Sequence, residues 1–229
     1  MNRVKRILTH QFSNKELLQE ALSHPSLSSE KRPAPPDNQR LEYLGDAVLE
    51  LVISDYLYKR FPDCQEGVLT KLRASVVSRQ ALCAVAQRYD FGNSLSMSKG
   101  EESSGGRTRA SNLADAVEAV IGALFIDAGF ERAKSAVLKV FAPELDALDP
   151  VSAQASNSKG ALQEVLQQIA PESPIYRIIN EDGPPHERVF TSEVTWCGKT
   201  LGSGTGPSKK IADAAAAAAA LGAKLWEES

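Results

Sequence analysis

Glu42 and Asp46 stand four residues apart in NQRLEYLGDAVLELVISDYLYKR, and Asp115 and Glu118 stand three apart in NLADAVEAVIGALFIDAGF. On a helix either spacing stacks the two acids on one face with their carboxylates close together. Both segments are otherwise strongly apolar, through Leu41, Tyr43, Leu44, Val48, Leu49, Val52 and Ile53 in the first and Leu113, Val117, Val120, Ile121 and Leu124 in the second. Each helix should therefore be largely buried. Adjacent acids on a buried helix repel each other and lose hydration unless a cation compensates them. If the two helices pack together, four carboxylates converge on a hard, oxygen-rich site that suits magnesium or manganese and leaves positions open for water and phosphate. That is equipment for phosphodiester hydrolysis. The plain alternative for either pair alone is a solvated acidic strip, but two pairs on two apolar helices make such exposure harder to arrange.

The elements that must carry these acids follow from periodicity. From Leu17 to about Phe141 apolar residues recur at helical spacing, broken by punctuation such as KRPAPPDN and KGEESSGGR, which predicts an all-helical domain. After Pro143 the pattern thins through ELDALDPVSAQASNSK, and residues 147–157 read as a flexible linker able to reach roughly 35 Å at about 3.3 Å per residue. Beyond it come a short helix over Lys159 to Ile169, strands near Ile175 to Asn180, Val189 to Cys197 and Thr200 to Leu201, and an alanine-rich closing helix. The expected organisation is mainly α: a helical domain over 1–146, the linker, and a small α-β-β-β-α domain over 158–227.

Composition narrows the partners. A net charge of −3 on 229 residues excludes a polycation that coats nucleic acid, so any such surface must be local. Cys64, Cys83 and Cys197 are odd in number and widely spaced, which indicates neither a disulfide framework nor a zinc site and suits a reducing compartment. The N-terminal stretch lacks the apolar run of a signal peptide, and no later stretch is long and uncharged enough for a membrane span. The expectation is a cytoplasmic protein with no membrane partner.

A local cationic surface is legible in GTGPSKKIADAAAAA, where a glycine-rich loop enters a helix near Ser208 with Lys209 and Lys210 in its first turn. Cations there oppose the helix dipole, and two of them suggest an external anion such as RNA phosphate. Paired lysines at a helix start are also common as solvated charges. Gln163, Glu164 and Gln167 in GALQEVLQQIA could reach ribose 2′-hydroxyls, and GPPHER forms a turn with Pro185 and His186. Together and in this order around three strands, these parts resemble the double-stranded-RNA-binding domain, which spans adjacent minor grooves and the phosphates between them by shape. The resemblance puts RNA contacts at Gln163, Glu164, Gln167, Pro185, His186, Ser208, Lys209 and Lys210. Trp196 and Tyr176 read as core residues.

The signature-like stretch NQRLEYLGDAVLE, with ALSHPS, QEGVLTKLRASVVS and KGEESSGGRTRASNLADAVEAVIGALFIDAGF in the same order, resembles ribonuclease III across nearly the whole chain. The resemblance implies a metal-dependent endoribonuclease acting on double-stranded RNA, with Mg2+ as cofactor and Mn2+ as a substitute. Glu42, Asp46, Asp115 and Glu118 would be the metal-binding acids, with Asp46 and Glu118 catalytic. It implies 5′-phosphate and 3′-hydroxyl ends with short 3′ overhangs, and processing of ribosomal RNA precursors and structured messages.

Cutting both strands calls for two sites related by a two-fold axis, hence a homodimer, and the resemblance places Tyr43 at that interface where Phe is more usual. The family's accessory cleft acids correspond to Glu66 and to Gln39, where this chain departs from the usual Glu; an amide there removes a negative charge and adds donors. His24, within SHPS, reads as structural. The rival reading is a noncatalytic double-stranded-RNA-binding or ribosome-associated protein on the same fold, against which the retention of all four carboxylates argues.

Overall fold

The computed structural model describes residues 10–30, 32–184 and 187–227, apart from the side chain of Ser156. By packing the chain divides into two compact bodies, Met1–Pro62 with Arg73–Leu148, and Asp63–Leu72 with Asp149–Ser229.

The first body is helical. It contains α1 (Lys15–Ala21), α2 (Gln39–Arg60), the end of α3 (Glu66–Val76), α4 (Arg79–Arg88), α5 (Lys99–Ser103), α6 (Ala110–Ala128), α7 (Phe130–Val140) and α8 (Ala142–Asp146). Side-chain caps set several starts: Asn14 accepts from the Glu16 amide at 3.0 Å and Ser78 from the Ala81 amide at 3.2 Å, satisfying donors that a helix start leaves orphaned. Helix α6 is the axis of the body, with α1, α2, α4 and α7 all packed against it. Its buried residues run almost without interruption from Asn112 to Leu124, and α2, packed against it, buries Leu49, Val52 and Ile53 completely. Helix α2 is not buried all round, as its composition suggests. Tyr43, Leu51 and Tyr58 lie on an exposed apolar strip, with Tyr43 82% exposed.

The second body holds α9 (Pro150–Gln167), β1 (Ile175–Asp182), β2 (Val189–Trp196), β3 (Lys199–Gly206) and α10 (Lys209–Ala223). The strands form an antiparallel sheet in the order β1-β2-β3, with Tyr176 opposite Val194 and Ser192 opposite Gly204. Cys197 and Gly198 turn β2 into β3, both at positive φ (48° and 78°), the backbone that a two-residue type I′ hairpin requires. The core joins Leu162 and Leu166 of α9, Val194, Trp196 and Leu201 of the sheet, Ala216, Ala217 and Ala220 of α10, and Trp226 beyond it. Trp196 and the partly buried Tyr176 belong to this core, and Trp196 Nε1 donates to the Glu172 carbonyl at 2.8 Å.

Two elements differ from expectation. Residues 150–157 are not an extended linker but the first half of α9. Asp149 caps it by accepting from the Ser152 amide at 3.1 Å, Pro150 occupies the first turn, and Ala155 and Ser158 are buried. A cap, a proline at the start and a buried face together outweigh the weak apolar pattern. Strand β3 runs on to Gly206, beyond Thr200 to Leu201. Its glycines, at every second position from 202 to 206, offer no apolar side chain to mark a strand, yet a Cβ on Gly202 would lie 2.8 Å from the Ala220 amide nitrogen, and one on Gly204 would overlap the Ala215 and Ala216 backbone. Bare backbone is what lets α10 lie flat on the sheet.

Candidate active site

Helices α2 and α6 cross at two glycines. A Cβ on Gly45 would collide with the Glu118 carbonyl, and one on Gly122 with the Leu41 carbonyl. Gly45 lies between Glu42 and Asp46 in sequence, and Gly122 is one turn beyond Glu118. The crossing therefore draws the acid-bearing turns of both helices together. Carboxylate oxygens of Glu42, Asp115 and Glu118 lie within 4.8 Å of one another. Asp46, more exposed, lines the same open pocket of about 410 Å³ together with Tyr43, Val77, Arg79, Leu82 and Ala114.

A clamp fixes the start of α6, three residues before Asp115. Glu101 accepts from Asn112 Nδ2 at 2.8 Å and is paired with Arg109, while Asn112 Nδ2 also donates to the Gly106 carbonyl at 3.1 Å. Arg107 donates to the carbonyls of Gly92 and Leu95 at 2.9 and 2.7 Å. His24 is likewise a structural group: its Nδ1 accepts from the Ser26 amide at 3.1 Å and caps the turn at Pro25–Ser29.

The electrostatics of the cluster are adverse without a cation. Burial, then repulsion from Asp46, Glu42 and Asp115, pushes the Glu118 carboxyl up to about 8, with Arg79 acting in the opposite sense. Glu42 is raised by burial and by Asp115, Asp46 and Asp37. Asp115 is raised by burial, against the pull of Arg79, His24 and a backbone hydrogen bond. A divalent cation removes that repulsion, and an all-carboxylate, half-buried donor set with an open side fits magnesium or manganese rather than a softer metal.

Gln39 is exposed at the start of α2, where its backbone N–H donates to Asp37 Oδ1 at 3.1 Å, and it does not line the acidic pocket. Glu66 is the first residue of α3, in the segment grouped with the second body, and accepts from Thr70 Oγ1 at 2.8 Å.

In the second body Gln163, Glu164 and Gln167 are exposed on α9, on the opposite side from Leu162 and Leu166. Ser208 Oγ caps α10, accepting from the Ile211 amide at 3.3 Å. Lys209 is ion-paired with Glu181 at 3.0 Å, and Lys210 donates to Ser152 Oγ at 2.5 Å. Pro185 and His186 lie outside the described residues.

Sequence reasoning passes over Gly45, Gly122, Arg79 and the Glu101–Asn112 clamp. The glycines do leave a signal, since each interrupts an apolar helix within one turn of an acid. Arg79, in VVSRQAL, leaves none.

Comparison with known proteins bears on the family and the fold. Residues 14–145 match the Ribonuclease-III-like family and residues 158–222 the double-stranded RNA binding motif. The chain is 47% identical to a ribonuclease 3 of Desulforamulus reducens over 94% of its own length and 88% of the relative's. It is 46% identical to one of Enterococcus faecalis, over 92% and 91% respectively. Among solved structures, the nuclease domain of ribonuclease III from Campylobacter jejuni superimposes with a TM-score of 0.58 at 40% identity, covering 64% of this chain and 97% of that domain. A second structure of that domain, TM-score 0.59 at 40% identity over 63% and 97%, is described as showing flexibility in a region involved in dimer formation. Among the described residues, no helix is long and apolar enough to cross a membrane.

Proposed function

The chain belongs to the ribonuclease III family, whose members depend on divalent metal, and is an endoribonuclease; from that premise we propose that Glu42, Asp46, Asp115 and Glu118 form its metal-binding active site, with Asp46 and Glu118 the catalytic pair and Mg2+ the resident cation. One observation carries the reading: oxygens of Glu42, Asp115 and Glu118, from two helices, lie within 4.8 Å of one another in a pocket that Asp46 also lines. When bound there, the cation supplies Lewis-acid stabilisation for charge building on the phosphate oxygens and makes water acidic enough to attack near neutral pH. The protein's part is to hold the donors at the glycine crossing and to keep the pocket open on the side where Asp46 and Tyr43 stand. Cleavage in this sense leaves 5′-phosphate and 3′-hydroxyl ends with short 3′ overhangs. Gln39 and Glu66 are accessory cleft residues.

The division of labour is a nuclease and dimerisation region over 1–146, a connector over 147–157 whose part from Pro150 onward is the first half of α9, and a duplex-binding domain over 158–227. The last holds duplex RNA through Gln163, Glu164, Gln167, Pro185, His186, Ser208, Lys209 and Lys210. A homodimer supplies two sites for two strands. It is supported by the exposed apolar strip of Tyr43, Leu51 and Tyr58 on α2, since such strips mark interaction surfaces, and by the dimer-forming region named for the Campylobacter jejuni domain. Ribosomal RNA precursors and structured messages in the cytoplasm are the substrates.

The test is incubation of the purified chain with long double-stranded RNA and Mg2+ beside Glu118→Gln. The parent should yield short duplexes. Loss of a ligand that positions the cation should slow cutting by about 10³-fold, several kcal/mol of transition-state stabilisation, while duplex binding persists. Equal cutting by both proteins would remove Glu118 from the site.

A further inference from the structure

We propose that Arg79 binds the phosphate of the RNA strand being cut and stabilises the charge that develops on it. The proposal rests on the acid cluster being the cleavage site. Arg79 is the first residue of α4 and lines the acidic pocket together with Val77 and Leu82, so the first turn of α4 forms one wall. Among the described residues it is the only basic one lining the pocket, which it shares with Glu42, Asp46, Asp115 and Glu118.

Four other arginines of this body are committed to protein partners. Arg73 donates to Ser54 Oγ at 3.0 Å, Arg88 is paired with Glu144, Arg107 with Glu102 and Arg109 with Glu101. Arg79 is electrostatically coupled to Asp115 and Glu118, yet among the described residues it closes no ion pair or side-chain hydrogen bond with any of them. A guanidinium surrounded by carboxylates but not seated on one keeps its planar fork of donors for another oxyanion. The two non-bridging oxygens of a phosphodiester fit that fork. The start of α4 adds the positive end of its helix dipole in the same wall.

A cation that merely diluted the repulsion among the acids would help them in the free protein. One that holds phosphate acts most strongly in the transition state, where the phosphoryl oxygens gain charge, and so appears in the cleavage rate rather than in metal or RNA affinity. This separates the two roles.

The experiment uses the full chain as Arg79→Ala, Arg79→Lys and Glu118→Gln. Single-turnover cleavage of duplex RNA is measured at saturating protein with Mg2+, and Mn2+ binding is measured by calorimetry without RNA. Arg79→Ala should cut about 100-fold more slowly, the order expected for losing one preorganised donor to a developing anion, and Arg79→Lys should recover about tenfold as a point charge without the fork. Mn2+ should bind Arg79→Ala as tightly as the parent or more tightly, because a positive charge has left the pocket. If Mn2+ affinity fell in step with the rate, Arg79 would be a brace for the acids and the proposal would be overturned. Cleavage by Arg79→Ala within about twofold of the parent, too small for the loss of such a donor, would overturn it as well. The parallel Glu118→Gln assay tells the two failures apart: an inert Glu118→Gln beside a normal Arg79→Ala rejects the Arg79 assignment alone, whereas a normal Glu118→Gln rejects the acid site and Arg79 with it.

Discussion

In the nuclease body two helices meet glycine to backbone, Gly45 against Glu118 and Gly122 against Leu41; in the duplex-binding body a helix meets a sheet in the same way, Gly202 and Gly204 against Ala215, Ala216 and Ala220. The packing device is shared, but the charges beside it are treated in opposite ways. In the second body Asp213 accepts from Ser192 Oγ at 2.6 Å and from Lys159 Nζ at 3.0 Å, and Lys159 stacks 4.1 Å from the centre of the Tyr176 ring. In the first, close approach brings Glu42, Asp115 and Glu118 together, and among the described residues no lysine or arginine closes an ion pair with them. Charges paired at a packing seam specify a fold; like charges crowded there are destabilising, and their retention marks a site that something else must complete.

Substituting alanine at the matching glycines is the strongest way to break this comparison. Gly45→Ala forces α2 and α6 apart, because the collision is with backbone that has no rotamer to yield. Overpacking of this kind costs roughly 1–3 kcal/mol, and a shift of about 1 Å between catalytic groups costs about 100-fold in rate. Thermal melting and single-turnover cleavage should therefore both respond, with Mn2+ affinity falling. A folded Gly45→Ala that cuts at the parental rate would disconnect the crossing from the site. Gly204→Ala should cost similar stability in the duplex-binding body, but its functional signature differs. Duplex affinity should weaken by about tenfold, equivalent to roughly 1.4 kcal/mol, with Mn2+ binding unchanged. If Gly204→Ala altered Mn2+ affinity as much as Gly45→Ala does, the two seams would not be functionally separate.

Titration sharpens the contrast. The Glu118 carboxyl is raised from 4.5 to about 8, so the metal-free folded chain binds a proton there that the unfolded chain has lost. The stability associated with that proton is full below about 4.5 and disappears as pH rises through about 8. Metal-free thermal stability should accordingly decline across that window, and Glu118→Gln should flatten the decline. Cation binding expels the same proton, so Mn2+ affinity should climb by up to about tenfold per pH unit and level off above about pH 8. An affinity independent of pH between 6 and 8, measured by calorimetry in buffers of differing ionisation enthalpy, would show that Glu118 is not the proton's site.

Much of this contrast is legible in the sequence, and the part that is not has a physical cause. The four acids stand out because spacing places each pair on one helical face and the surrounding residues are apolar. That Tyr43, Leu51 and Tyr58 stay exposed does not follow from the same pattern, since hydrophobicity marks a face as apolar without saying whether the chain's own core covers it. The first half of α9 escapes notice because SAQASNSK has almost no apolar period, although Asp149 and Pro150 are a helix-start signal in plain view. The end of β3 escapes because glycines packed against a helix carry no side chain to alternate. Arg79 escapes for a different reason: the acids it joins are remote in sequence, and only the packing of α4 against α6 brings it to the pocket that they line.

The smallest effect is expected at Gln39, the amide at one of the two proposed accessory positions. Gln39→Glu adds a negative charge one turn before Glu42, a position close enough to favour a cation in the pocket. Gln39 is exposed, however, and outside the pocket wall, so water and salt screen most of the added field. An exposed charge interaction of this kind is worth about 0.2–1 kcal/mol, which corresponds to about a 1.4- to fivefold gain in Mn2+ affinity. The gain should shrink as salt is raised, because the Debye length falls to about 3 Å at 1 M. The cleavage rate at saturating Mg2+ should stay within the same narrow range, since the added acid is not a donor that the pocket lacks. No change in either quantity would confine the site to the pocket wall, whereas a gain of 100-fold or more, about 2.7 kcal/mol, would mean that position 39 enters the coordination sphere when metal and RNA are bound.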